Sequence, residues 1–125
     1  MPALRAAAGA AALAAAAVAA GCGTAKSPAL VAGGSPSRGA RLIDKFGCGS
    51  CHAIPGIHGA SGRVGPALSD FRRLRFIAGE IPNTPENAIR WIEHPRSIEP
   101  GTIMPDLGVS RDQARQIVAY LYSRT

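Results

Sequence analysis

The sequence predicts a small all-α domain carried behind an export segment. Three stretches repeat apolar side chains at helical spacing and each carries a cap signal. No pair of alternating runs offers a convincing strand partner. Between the first stretch and a middle rich in Gly and Pro sits one pentapeptide, Cys48-Gly49-Ser50-Cys51-His52. A chain of 125 residues with three cysteines and a formal charge of +6 leaves room for one small domain plus whatever is processed away. Aromatic residues make up only 5%, so the apolar interior that the side chains alone can supply is limited.

The first segment is Met1 to Arg5, a short basic start, followed by an unbroken run of small apolar residues from Ala6 to Ala20. At about 1.5 Å per residue, that run is too short to cross a hydrocarbon core about 30 Å thick. Residues 1–21 therefore read as a secretory signal peptide. Ala19-Ala20-Gly21-Cys22 resembles a lipobox, in which cleavage before the cysteine leaves a lipid-modified N-terminus at Cys22. The alternative is an ordinary cut after Ala17-Val18-Ala19, which leaves Cys22 a free thiol. Cysteine arithmetic favours the lipid, because the other two cysteines belong to the pentapeptide and an exported chain would otherwise keep one unpaired. Loss of residues 1–21 removes only Arg5 among the charges and leaves +5. Residues 22–37 lack helical periodicity and are rich in Gly, Ser and Pro, so they are expected to form a flexible linker with a typical reach of roughly 20 Å.

The folded domain is expected over 38–125. Its first helix spans 38–46, with Ser35 or Ser37 as cap and Gly39, Leu42, Ile43 and Phe46 on one face, and Gly47 ends it. Residues 53–82 carry mostly turn signals, with one short helix near Leu68 to Leu74. Thr84 caps a second helix with Pro85 at its first position, and Pro95 closes it. Ser110 and Gln113 form a capping-box pair for the last helix, where Ala114, Ile117, Val118 and Leu121 make a core-facing stripe.

The pentapeptide is the C-x-x-C-H mark of covalent c-type haem attachment. Each thiol can add to a haem vinyl group, and His52 supplies an imidazole to the iron. A thioredoxin-like pair should follow a strand, whereas a helix precedes Cys48; half a zinc site lacks a second cysteine pair. A haem iron held by His52 needs a second axial group. After signal removal Met104 is the only methionine, held between Pro100 and Pro105 in a stiff loop. Thioether opposite imidazole favours ferrous iron and suits an electron carrier. His58 and His94 are the rival ligands, each better explained as exposed or hydrogen-bonded.

In order along 38–125, these signals resemble a class I cytochrome c. The C-x-x-C-H run at 48–52 is followed by Val64-Gly65-Pro66-Ala67-Leu68, similar to the family's G-P-x-L turn. Trp91-Ile92-Glu93-His94-Pro95 is similar to the end of the family helix beside the haem, and Pro100-Gly101-Thr102-Ile103-Met104-Pro105 to its methionine loop. The resemblance implies a small all-α fold around one haem c, with its iron between His52 and Met104. It also implies that the carbonyl of Pro66 accepts the other ring N–H of His52. Trp91 would stand beside the haem, either as core packing or with its indole directed at a propionate. The first and last helices would cross at Gly39, or Ala40, against Tyr120.

Arg63, Arg72, Arg73 and Arg75 cluster after the haem motif. They form either a solvated face or a basic surface for an acidic redox partner. Nucleic acid does not fit an exported haem protein. The expected function is a non-enzymatic one-electron shuttle at the periplasmic or extracytoplasmic membrane face. It would work among redox proteins such as a quinol-oxidising complex, a dehydrogenase or a terminal oxidase. The alternatives are a cytochrome subunit of a larger oxidase or dehydrogenase complex, or a haem enzyme or gas sensor in which Met104 is displaced.

Overall fold

A computed structural model describes residues 29–124 and the isolated Ala3. The expected signal peptide, Ala3 apart, and the lipidation residue Cys22 lie outside the described residues. Four helices carry the fold: α1 (Pro36–Lys45), α2 (Pro85–Glu93), the single turn α3 (Pro95–Ile98) and α4 (Arg111–Ser123).

Helix α1 begins where the Ser35 hydroxyl accepts the Arg38 N–H at 3.5 Å and Pro36 brings a preset φ to the first turn. It stops at Phe46, after which Gly47 takes a left-handed φ of 68° and turns the chain sharply. Helix α2 starts as expected, with Thr84 accepting the Asn87 N–H at 3.2 Å ahead of Pro85. In α4 both halves of the capping box form: Ser110 Oγ accepts from Gln113 N–H at 3.4 Å, and Gln113 Oε1 accepts from Ser110 N–H at 2.9 Å.

Helix α4 is the centre of the molecule, packed against α1 on one side and α2 on the other. The expected single apolar stripe is wider than its spacing suggested, since every residue from Gln116 to Tyr122 is buried. Both tyrosines are buried because their hydroxyls find partners. Tyr120 donates to the Pro55 carbonyl and Tyr122 to Asn83 Oδ1, each at 2.7 Å. Asn83 in turn donates to the Phe71 carbonyl at 2.6 Å, and the Phe71 ring meets Tyr122 edge-on at 6.0 Å. Helix and loops thus share one core, with Ile43, Ala88, Ile89, Ile117, Val118 and Leu121 at its heart. Full burial of side chains like Ile or Leu contributes about 1.5–3 kcal/mol each.

The α1–α4 crossing falls at Gly39, not Ala40. A Cβ there would overlap the Gln116 carbonyl and stand 2.9 Å from Tyr120 Cβ.

Three expectations need correction. Residues 31–35 are not part of the tether: Val31 is buried, and Gly34 sits so close to Ala119 that a Cβ would lie 2.5 Å from it. The cause is Gln116, a fully buried amide that must be paired. Its Oε1 accepts the Ser35 N–H at 2.7 Å and its Nε2 donates to the Gly33 carbonyl at 3.3 Å, drawing this segment onto α4. A strand pair also exists where none was expected, with β1 (Phe76–Ile77) antiparallel to β2 (Ile81–Pro82). Ala78, Gly79 and Glu80 join them: Ala78 and Gly79 take φ values of 53° and 75°, and Glu80 N–H donates to the Ile77 carbonyl at 3.0 Å to close the turn. The short helix expected near Leu68 to Leu74 is a single 3₁₀ turn, Phe71–Arg73. No helix among the described residues is long and apolar enough to cross a membrane.

Candidate functional site

The site grows out of the end of α1. After Gly47 the chain makes a 3₁₀ turn, Cys48–Ser50, in which Cys51 N–H and His52 N–H both donate to the Cys48 carbonyl, at 3.3 and 3.1 Å. Ser50 Oγ braces the turn by donating to the Gly47 carbonyl at 2.6 Å. The two thiols are thereby held one turn apart, half-buried and free of any disulfide. Burial pushes the Cys48 thiol above its ordinary value.

His52 is fixed by the segment 62–68. Gly65 N–H donates to the Cys51 carbonyl at 2.8 Å and Leu68 N–H to the Ala53 carbonyl at 2.9 Å, laying the two segments side by side. Pro66 then presents its carbonyl to His52 Nδ1 at 2.7 Å. Since a carbonyl only accepts, Nδ1 carries the proton and Nε2 keeps a free lone pair. Gly65 closes the other side: a Cβ there would stand 2.7 Å from Nδ1 and 2.9 Å from Nε2. The imidazole therefore has its tautomer set by Pro66 and its plane set by Gly65. Gly65 was visible only as part of a motif; its contact with the ring depends on the fold.

The other expected residues come from separate elements. Trp91, on α2, is half-buried against the core, and its indole N–H meets no acceptor among the described residues. Met104 is half-buried in the loop between α3 and α4, its N–H accepted by Thr102 Oγ1 at 3.2 Å. His58 is exposed. His94 is exposed and hydrogen-bonded, through Nδ1 to Asp106 Oδ2 at 3.3 Å. The Gly108 N–H, and next to it His94, holds the Asp106 carboxyl below the usual carboxylate value, so it is ionised at neutral pH.

The large hydrophobic side chains left exposed include Val64, Leu74, Phe76, Ile103 and Leu107, and these fall in the segments that carry Pro66 and Met104 or follow them. Ile103 is 75% exposed. Exposed apolar side chains on such segments are the kind that a bound group or a partner covers. The chemistry of the residues, two thiols and an imidazole on one turn with a thioether on a separate loop, suits a haem. Charge is paired unevenly along the chain. Arg111 is bound by Glu86 and by Glu93 at 3.1 Å, and Arg115 by Asp112 at 3.1 Å. Arg63, Arg72, Arg73 and Arg75 are all exposed, three of them beside Leu74 and Phe76.

The cytochrome c family profile matches residues 36–125. Cytochrome c oxidase subunit 2 of Alkalihalophilus pseudofirmus is 33% identical over 88 residues, covering 70% of this chain and 25% of that protein. Cytochrome c oxidase subunit 2 of Bacillus sp. strain PS3 is 31% identical over 80 residues, covering 61% and 22% respectively. The chain thus spans about a quarter of the length of the curated relatives it matches. No solved structure matches it. With a helical fold, a C-x-x-C-H turn and a family match from α1 to its last residue, the chain belongs to the cytochrome c family and carries one haem c through Cys48 and Cys51.

Proposed function

We propose that the chain is a one-electron carrier whose iron is held between His52 and Met104, and that it passes electrons to a terminal oxidase at the extracytoplasmic face of a membrane. The observation that carries the reading is the 2.7 Å bond from His52 Nδ1 to the Pro66 carbonyl. That bond fixes the tautomer, aims Nε2 as a ligand and raises its basicity, which is what an axial imidazole needs. The bound haem supplies a reversible one-electron change at iron. What the chain contributes is orientation and environment. Gly65 keeps the His52 ring from rotating, and the loop around Met104 offers a thioether that favours the reduced state. None of these roles requires a substrate or a catalytic acid–base pair, and the proposed reading is therefore of a carrier rather than an enzyme.

The relatives' description as oxidase subunits favours a terminal oxidase over other acceptors, including the reading in which this chain is itself a subunit of such a complex. The exposed arginines from Arg63 to Arg75 support an acidic docking face on that partner. Cys22 is the proposed lipid anchor, with the domain in the periplasm or on the outer membrane face. Mass spectrometry of the mature chain checks it: a diacylated or triacylated Cys22 is expected, and a chain starting at Ala20 without lipid removes the anchor.

Redox titration of the haem-loaded full chain with spectra before and after carbon monoxide tests the carrier. A single one-electron wave, a far-red thioether band in the oxidised protein and slow carbon monoxide binding are expected. Rapid binding to the reduced protein with no far-red band would replace the carrier by an open-site enzyme or sensor.

A further inference from the structure

The geometry points to His94 as a positioning residue that holds the Met104 loop in place through Asp106, an assignment that rests on Met104 being the second axial ligand. The loop runs from the end of α3 at Ile98 to the Ser110 cap of α4. Both ends are anchored, by buried Pro95 in α3 and by buried Val109 beside the cap. Between them the chain is loosely held. Its polar contacts are local: Gly101 N–H to Glu99 Oε1 at 2.8 Å, Thr102 N–H to the Glu99 carbonyl at 3.0 Å, Met104 N–H to Thr102 Oγ1, and Gly108 N–H to Asp106 Oδ1 at 3.1 Å. Ile103, Pro105, Asp106, Leu107 and Gly108 are exposed.

Among the described residues, the one polar contact that ties 103–108 to another element is His94 Nδ1 to Asp106 Oδ2. Asp106 is suited to this, with one oxygen ordering its own turn through Gly108 and the other reaching out. His94 is a firm anchor. Its N–H donates to the Arg90 carbonyl at 2.9 Å, and its carbonyl accepts from Ser97 N–H at 3.1 Å and Ser97 Oγ at 2.7 Å. It sits where α2 ends and α3 begins, so the clip ties the methionine loop to the α2–α3 corner. An exposed pair of this kind is weak in itself. Its effect is felt because what it holds, a thioether on iron, competes with outside ligands for one position.

The test compares His94→Ala, Asp106→Asn and the double variant in the haem-loaded full chain, reading imidazole affinity of the oxidised protein and its far-red thioether band. Asp106→Asn keeps an oxygen for Gly108 while weakening the bond to His94. Each single variant is expected to bind imidazole about three- to fivefold more tightly. The double variant should match the stronger single, because both remove one contact. His94→Gln, whose amide can still donate, should restore part of the loss. Unchanged imidazole affinity in the singles, even with a lowered melting temperature, or effects that add in the double, would overturn the assignment. A parent protein with no far-red band would instead remove the Met104 ligation beneath it, and His94 would then have no ligand loop to position.

Discussion

Gly39→Ala is expected to cost the fold about 3 kcal/mol and to lower the melting temperature by roughly 15 °C. Two effects oppose each other at this position. In the interior of a helix, alanine is favoured over glycine by about 1 kcal/mol, so an uncrowded α1 would be strengthened. Here the added methyl runs into the Gln116 carbonyl, with Tyr120 Cβ close behind. A main-chain carbonyl in the middle of α4 cannot rotate aside without breaking its own helix, so relief requires the helices to separate. Separation would strip the buried Ile43 of its partners and pull Gln116 from the Ser35 N–H. With typical domain stabilities of about 5–15 kcal/mol, a loss of this size is a large share of the whole. Thermal unfolding of the haem-loaded protein measures it, and an unchanged or raised midpoint would mean that the helices do not meet at Gly39.

Met104→Ala is expected to have the largest effect on the site. It removes the thioether and leaves the second axial position without a protein ligand. The far-red band should vanish, carbon monoxide should bind the reduced protein rapidly, and the potential should fall. Axial-ligand identity moves haem potentials over a span of about 0.8 V, so a fall on the order of 0.1–0.2 V is reasonable for loss of a ligand that favours ferrous iron. At about 59 mV per tenfold change for one electron, that is on the order of a hundredfold or more in the redox equilibrium. The global fold should survive, because the core lies around α4 and Met104 is only half-buried. Absence of the band from the parent protein, with the potential unchanged by the substitution, would point to His94 or His58 as the ligand instead.

Both predictions concern residues that the sequence made visible. What could be read was what local chemistry encodes. Thr84 with Pro85, and Ser110 with Gln113, announce helix starts through contacts made within a few residues. The C-x-x-C-H turn likewise needs only its neighbours. What could not be read depends on partners far along the chain. Val31 looks like one apolar residue in a linker until Gln116 captures the segment beside it. The Phe76–Pro82 hairpin is too short to show a period and is held beside Asn83, which joins Phe71 to Tyr122. The need for Gly65 at the His52 ring also appears only once the loop has folded back. His94 was legible as a hydrogen-bonding residue, but Asp106 as its partner was not.

The capture of residues 33–35 by α4 has a consequence for how the domain can be carried. Gly34 lies on Ala119, within a turn and a half of the last described residue, so the chain enters and leaves the domain on the same side. Such a unit behaves as a cartridge: it can be hung from a leash at its front, or spliced onto a larger protein, without threading through its own core. The same closure means that tension between the two ends would load the Gly34 to Ala119 contact and the Gln116 hydrogen bonds first, before it reached the haem-bearing loops.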